Sequence, residues 1–493
     1  MPNELVIAEA GLRRSLARLI PALPLLVGLA AFARALLDRR SLLNDPDTYL
    51  HIAAGRWLLA HGALPAQDPF SHSMAGAPWV VHEWLAEGVL AFLYDGLGWS
   101  GPVLAAAACF ALSLALLERR LLPHLGSLPS LIAVALGASL VLPHLLARPH
   151  ILALPLLVVW SAAIIDARDK AGAPPFRALP VMALWANLHG GFMVGVALAA
   201  LAAVEATLDR RGGRPVQSEA GRWGLFLLLT ILAATLTPNG VAGFMLPFRI
   251  IGMSGMKDSF SEWMSPDFHG FQPLEIWLLG LMLLGFSLGL KLPLPRLVLL
   301  LGLVHLALQQ GRQGELLGLI GPLAIAASLG RQLPTPGAGR TGEAAARRAS
   351  APVIASIVAI GLALGAMTLL DPLQRTDDRI SPASALAAAQ RMGLSGPVLN
   401  SEPFGGYLIF RGVPTFIDGR MEMYGDRFLR RYLDADAGSG PALLGLLRDY
   451  AIAWTLLEPS SRATEIMDHL PGWRRVYADA YAVVHARTED FAR

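Results

Sequence analysis

The stretch RWGLFLLLTILAATLT, residues 222–237, carries a single charge, Arg222, at its start. Side chains of this kind leave water only for a protein core or for lipid. One such run fits a buried helix. This chain repeats the pattern from residue 17 to residue 370, too often for one water-soluble core. Composition agrees: 16% of residues are charged and 54% hydrophobic, with mean hydropathy +0.50, against about 25% charged in soluble domains. The chain reads as an α-helical polytopic membrane protein.

Apolar segments of spanning or near-spanning length are 17–37, 101–118, 127–146, 148–166, 174–189, 190–208, 222–240, 272–290, 294–309, 313–330 and 351–370, about eleven in all. The N-terminal one follows no small-residue cleavage site, so it reads as retained. Basic residues orient the set. With the N-terminus inside, inner loops gather Arg119 and Arg120, Arg168 with Lys170, Arg210 with Arg211 and Arg214, and Arg331 with Arg347 and Arg348. Outer loops hold fewer. Counting 83–98 as a further span would invert this bias. That segment therefore reads as an outer helix at the interface, with Trp84 and Tyr94 as interfacial aromatics. The expected domains are a membrane domain over 1–370, with outer loop 38–100, and a Pro/Gly/Ala-rich cytoplasmic linker at 331–350. An extracytoplasmic α/β domain follows at 371–493. There, GPVLNSEPFGGYLIFRGVPTFIDGR reads as short strands, 425–435 and 440–450 as amphipathic helices, and IAWTLLE and WRRVYADAYAVVHAR as further strands. No internal repeat is visible.

This topology puts the polar knots on one side: DPDTYLH (45–51), PWVVHEW (78–84), ARPH (147–150), WANLHGG (185–191), LTPNG (236–240), SFSEWMSPDFHG (259–270) and QQGRQ (309–313). Polar groups at many helix ends on one face imply one outward cavity, and ionisable groups near spans are retained for function. Each also has a plain structural reading. Asp45 before Pro46 is how helices begin, with Asp as N-cap and Pro at N1. On that reading a helix 46–61 lays Leu50, Ala53, Ala54, Trp57 and Leu58 on the membrane surface. Capping explains Asp45 well and Asp47 poorly, because Asp47 shares a helix face with His51. His82 and Glu83 could form a rim pair. Arg148 and His150 could snorkel, and Asn187 could serve the Gly190–Gly191 turn. Arg312 lies against the charge bias, and a cation there suits an anionic ligand.

No phosphate-binding glycine loop, GxSxG elbow or HExxH motif occurs, and the histidines lack ligand spacing. The single cysteine, Cys109, excludes an intrachain disulfide. A net charge of +3 gives no reason to expect nucleic acid.

The order of these features resembles the GT-C superfamily of membrane glycosyltransferases. A first span is followed by DPD, a helix ending AHG, then QDPFSHSMAGAPWVVHEW, many spans and an outer domain. The plan is nearest to the catalytic subunit of oligosaccharyltransferase and to bacterial relatives of unassigned acceptor. SFSE (259–262) is similar to a Ser-x-Ser-Glu element of that subunit, and GGYLIFRGVPTFIDGRMEMYG looks like the outer domain of bacterial GT-C-like proteins. Two features of the subunit are missing. The loop PHLLARPH has no second acidic pair, so a divalent metal is left open and no cofactor is indicated. The Trp-Trp-Asp peptide motif is also absent.

The resemblance implies transfer of a sugar from a polyprenyl-phosphate or -diphosphate donor to a glycan, lipid or protein acceptor. The place would be the outer side of a bacterial inner membrane. Asp47 is then the expected catalytic carboxylate with Asp45 in support. Arg312, Arg148 and His150 would hold the donor phosphate, and His51, His82, Glu83, Asn187, His189 and Glu262 would contact sugar or acceptor. Two other classes compete: a lipid or solute transporter, which lacks the expected repeat symmetry, and a non-catalytic GT-C-like envelope scaffold.

Overall fold

The computed structural model describes residues 20–208, 216–253, 264–332 and 349–488. Its membrane part is helical. After α1 (Leu23–Leu37), α2 (Asp47–His61) and α3 (Trp84–Leu97) pack against each other. Then come α4 (Ser100–Leu125), α5 (Ser127–Val141), α6 (Pro149–Asp169), α7 (Leu179–Leu188), α8 (Phe192–Leu208), α9 (Val216–Ala234) and α10 (Gly240–Gly252). The series closes with α11 (Pro273–Phe286), α12 (Leu294–Gln309), α13 (Gly314–Gln332) and α14 (Ala351–Leu370). Among the described residues, six helical segments are long and apolar enough to cross a membrane: Ile20–Leu37, Ser100–Leu125, Ser127–His144, Pro149–Asp169, Gly311–Gln332 and Ala351–Leu370. The protein is a multi-pass membrane protein.

Several expected spans are shorter than the apolar pattern implies. The 174–189 segment contributes only the 10-residue α7, about 15 Å at 1.5 Å per residue, half a bilayer. The chain turns at His189, Gly190 and Gly191 before α8 begins. The 222–240 segment ends its helix at Ala234, and a separate helix, α10, starts at Gly240.

Small residues let the central helices approach. Gly137 of α5 and Gly318 of α13 face each other so closely that a Cβ on either would overlap the other's carbonyl oxygen. This is the contact that helices without a hydrophobic driving force between them exploit. At the C-terminal end of α6, three charges reach three neighbours. Asp166 pairs with Arg120 of α4, Arg168 Nε lies 3.7 Å from Glu205 of α8, and Asp169 lies 3.2 Å from Arg296 of α12.

The C-terminal part holds a four-stranded sheet of β1 (Val398–Asn400), β2 (Trp454–Leu457), β3 (Trp473–Ala478) and β4 (Val483–Arg487), in the order β1-β2-β4-β3. β1 pairs with β2 in parallel and the other pairings are antiparallel. Its helices are α15 (Ala383–Arg391), α16 (Gly405–Phe410), α17 (Met421–Asp436), α18 (Gly440–Asp449) and α19 (Arg462–His469). One sequence reading fails here. GGYLIF is a helix, not a strand, and Gly405–Ile409 are buried. A short apolar run buried on all sides has no period that separates the two.

α16 packs on α2, and this overturns a second reading. Leu50 and Ala54 do not lie on a membrane surface. Leu50 is buried beside Gly406 at 3% exposure, and Ala54 clusters with Trp79 and Val81 at 4%.

Candidate active site

The loop from Leu43 to Asp47 leaves α1 and starts α2. Asp45 Oδ1 accepts the backbone N–H of Asp47 at 2.8 Å, which gives a helix-start donor its partner. The other oxygen of Asp45 accepts from Arg148 Nη1 at 2.9 Å, while Arg148 Nη2 donates to Asp47 Oδ2 at 2.8 Å. One guanidinium thus spans both acids, the geometry that Arg's planar fork favours. Arg148 precedes Pro149, which opens α6, so the fork is fixed by the start of a long helix. Asp45 is 5% exposed and Asp47 is 20% exposed.

One turn further along α2, His51 meets α3. Its Nδ1 stands 3.3 Å from Glu87 Oε1, and its Nε2 stands 3.8 Å from Glu83 Oε2. Glu83 is also approached by His82 Nε2 at 3.7 Å and His189 Nε2 at 3.5 Å. Burial pushes the Glu83 carboxyl up, but His82, His189, His51 and Arg148 outweigh it and hold it at about 2. Burial pushes His51 down. The hydrogen bond to Glu87 and the charges of Glu83, Glu87 and Asp47 more than offset this and raise it above 6.5.

These groups share a cavity of about 580 Å³. Arg312, on the 3-10 turn Gly311–Gln313, lines it with His150 and His189. Apolar side chains line it too: Leu154 and Leu157 of α6, Val194 of α8, Ile250 and Ile251 of α10, and Leu306 of α12. The roof comes from the C-terminal part: Glu402, Gly419, Arg420, Met421 and Glu422. Gly419 approaches Asp47 so closely that a Cβ there would overlap Oδ1. Burial, with the charges of Asp47, Asp418 and Asp45, pushes Glu402 well above the usual carboxylate range. Burial also raises Glu422, against His82.

A second arginine fixes the roof. Arg420 donates from Nε and Nη2 to both oxygens of Asp418 at 2.7 Å, and from Nη1 to Asp68 Oδ1 at 2.6 Å. Tyr424 donates to Asp418 at 2.6 Å, and the guanidinium lies 4.7 Å from the Trp79 ring centroid. Loop 66–79 is thereby fastened to the C-terminal part. Its backbone also pairs there, with Ser71 bridging Thr415.

No protein-family model matches this sequence, and no curated protein matches it. Solved structures do. The chain is similar to the archaeal oligosaccharyltransferase AglB from Archaeoglobus fulgidus, solved in complex with an inhibitory peptide and a dolichol-phosphate. Identity is 11% and the TM-score 0.50, over 87% of this chain and 69% of that one. The fold is that of the GT-C membrane glycosyltransferases. The chain is similar as well to ArnT from Cupriavidus metallidurans bound to undecaprenyl phosphate, at 15% identity and TM-score 0.48 over 94% of this chain and 97% of that one. A third is arabinofuranosyltransferase AftD from Mycobacteria, at 19% identity and TM-score 0.47 over 93% of this chain and 41% of that one. At such identities the likeness concerns the fold alone.

On this GT-C fold, Asp45, Asp47, His51, His82, Glu83, Arg148, His150, His189 and Arg312 line one cavity. Asn187 does not line it. Its Oδ1 accepts from Trp84 Nε1 at 2.8 Å, and its Nδ2 donates to the Ala183 and Leu236 carbonyls at 2.7 and 2.9 Å. The amide ties α7 to α3 and to the loop before α10. Glu262 lies outside the described residues. Arg148 faces Asp45 and Asp47, two carboxylates. Sequence reasoning missed Glu87, Glu402, Gly419, Arg420 and Glu422. The one visible signal was IDGR, where an acid, a glycine and a base sit together in a turn. The cation that meets Asp45 and Asp47 is Arg148; among the described residues no group of three or more His, Cys, Asp or Glu side chains could hold a metal ion.

Proposed function

We propose that this protein is a membrane glycosyltransferase that moves a sugar from a polyprenyl-phosphate or -diphosphate carrier to a cell-envelope acceptor. The reaction would occur on the outer side of a bacterial inner membrane, under the roof that Glu402 and Gly419–Glu422 contribute. The observation that carries this reading is one cavity of about 580 Å³ lined both by ionisable groups and by apolar side chains. A ligand with a charged, sugar-bearing head and a hydrocarbon tail meets partners of both kinds there. The fold supports the same class: the similar AglB was solved with a dolichol-phosphate.

In this reading the C1–phosphate bond of the donor breaks and its electron pair leaves with the lipid phosphate. The acceptor O–H bond breaks, its proton passes to a base in the cavity, and the oxygen forms the new bond to C1. Arg312, with His150 beside it, offsets the charge that grows on the phosphate. Asp47, aimed by Arg148 and pressed by Gly419, orients the acceptor. Asp45 sets the start of α2 and the position of Arg148.

Purified protein in lipid nanodiscs, given labelled polyprenyl-phosphate and -diphosphate sugars with an envelope extract as acceptor, tests this. The expected result is release of lipid phosphate with label in the extract. Absence of release from every donor would leave the scaffold reading in its place.

A further inference from the structure

Two histidines beside Glu83 are held in opposite tautomers. His189 Nδ1 accepts the Gly191 backbone N–H at 3.0 Å. A neutral His189 therefore carries its proton on Nε2, the atom 3.5 Å from Glu83 Oε1. His51 is the reverse. Its Nδ1 faces the Glu87 carboxylate at 3.3 Å, which can only accept, so Nδ1 carries the proton. The lone pair of neutral His51 is then on Nε2, 3.8 Å from Glu83 Oε2. Both atoms are acceptors in this state, so neither bonds the other, and Nε2 is left for the O–H of an acceptor hydroxyl. His51 and Glu83 both line the cavity.

We propose that His51, oriented by Glu87, is the base that takes the acceptor's proton, while Glu83 steadies the imidazolium that forms. This rests on the reading of the cavity as a glycosyl-transfer site. The acceptor O–H bond breaks and its proton goes to His51 Nε2. The freed oxygen pair bonds to the sugar C1, and the C1–O pair departs on the lipid phosphate. No electron is gained or lost overall. The imidazolium then lies between two carboxylates, Glu83 and Glu87. Asp47 is already engaged, its Oδ2 held by Arg148 at 2.8 Å. His189 is a donor in its neutral form and stabilises Glu83 from the far side. Glu87 is a positioning residue.

The charged and titratable groups around His51 are Asp47 on its own helix, Glu83 and Glu87 at the start of α3, His82 and His189 behind Glu83, and Arg148 beyond Asp47. The net effect raises His51 above 6.5. A base must be unprotonated to act, so the rate climbs as pH rises through that elevated value. Removing the Glu87 charge lowers the value and moves the limb to lower pH.

The experiment is the pH dependence of kcat for lipid-phosphate release, with a polyprenyl-phosphate sugar as probe, in wild type, His51→Gln and Glu87→Gln. His51→Gln should lose roughly 100-fold or more and the acidic limb with it, with little change in donor KM. Glu87→Gln should keep more activity, with the limb displaced to lower pH. A His51→Gln protein that retains the wild-type limb overturns the proposal. If that variant does not fold, Glu87→Gln decides: a displaced limb supports the proposal, and an unmoved one overturns it. A wild-type protein that releases lipid phosphate from no donor overturns the transfer reading itself, and the base assignment falls with it.

Discussion

Arg148 and Arg420 each hold two aspartates, at 2.8–2.9 Å in one case and 2.6–2.7 Å in the other. Their surroundings differ. Arg420 is 3% exposed and both of its acids 0%, with aromatic rings against the guanidinium and Tyr424 on the carboxylate. Arg148 is 19% exposed and Asp47 20%, on the same cavity that Arg420 borders. The first group is dry and closed, as a fastening requires. The second is half open, and its charges can be felt by a ligand. Identical residue types in identical ratio therefore serve as staple in one place and as site in another, and solvent access separates them.

Breaking the staple should produce the largest effect. Arg420→Ala strands two buried carboxylates, which typically costs about 3–5 kcal/mol. A large drop in the thermal unfolding midpoint is expected, with the roof detaching from loop 66–79. A midpoint within error of wild type would show that the closed group does not fasten anything. The matching change at the open group, Arg148→Ala, should cost less stability, about 1–2 kcal/mol for a partly solvated pair, yet abolish most transfer. Equal losses of stability from the two variants would erase the contrast.

Arg312 sharpens the comparison from the ligand side. Arg312→Lys keeps the charge but loses the planar fork and should weaken donor binding by roughly 1–3 kcal/mol, with Arg312→Ala weaker still. Titration of both variants with a polyprenyl phosphate checks this, and unchanged affinity in both would remove Arg312 from the donor site. The smallest expected effect is on acid stability. Glu83 is held at about 2 against an ordinary 4.5, so its contribution is complete above pH 4.5 and drains away as pH falls toward 2. Melting curves across that window should show a slope that Glu83→Gln flattens; the same slope in the variant would place its source elsewhere.

Much of this was legible in the sequence, and the reasons are local. DPD announces a helix start beyond an apolar run. Polar knots at helix ends announce a shared face, and nine of the expected site residues do line one cavity. What stayed hidden depends on distance along the chain. Nothing near Asp47 signals that Gly419 and Arg420 arrive from the far end to cover it. Glu87 sits in an apolar stretch that reads as interfacial, and only the pairing of α2 with α3 turns it toward His51. Asn187 looked available because a polar side chain beside a glycine pair gives no hint that both ends of its amide are engaged by Trp84 and by backbone. The short span at α7 escaped for a related reason: hydropathy records what a segment tolerates, not where the chain turns.

The central claim is that Asp47 faces the reaction while Asp45 builds the helix that carries it. Rates of sugar transfer from a polyprenyl-linked donor, measured on folded Asp45→Asn and Asp47→Asn proteins, test it directly. Asparagine starts a helix about as well as aspartate, so Asp45→Asn should retain much of the activity. Asp47→Asn keeps the shape and loses the charge that aims the acceptor, and its rate should fall by about 100-fold or more. Full activity in Asp47→Asn, or near-total loss confined to Asp45→Asn, would contradict the account.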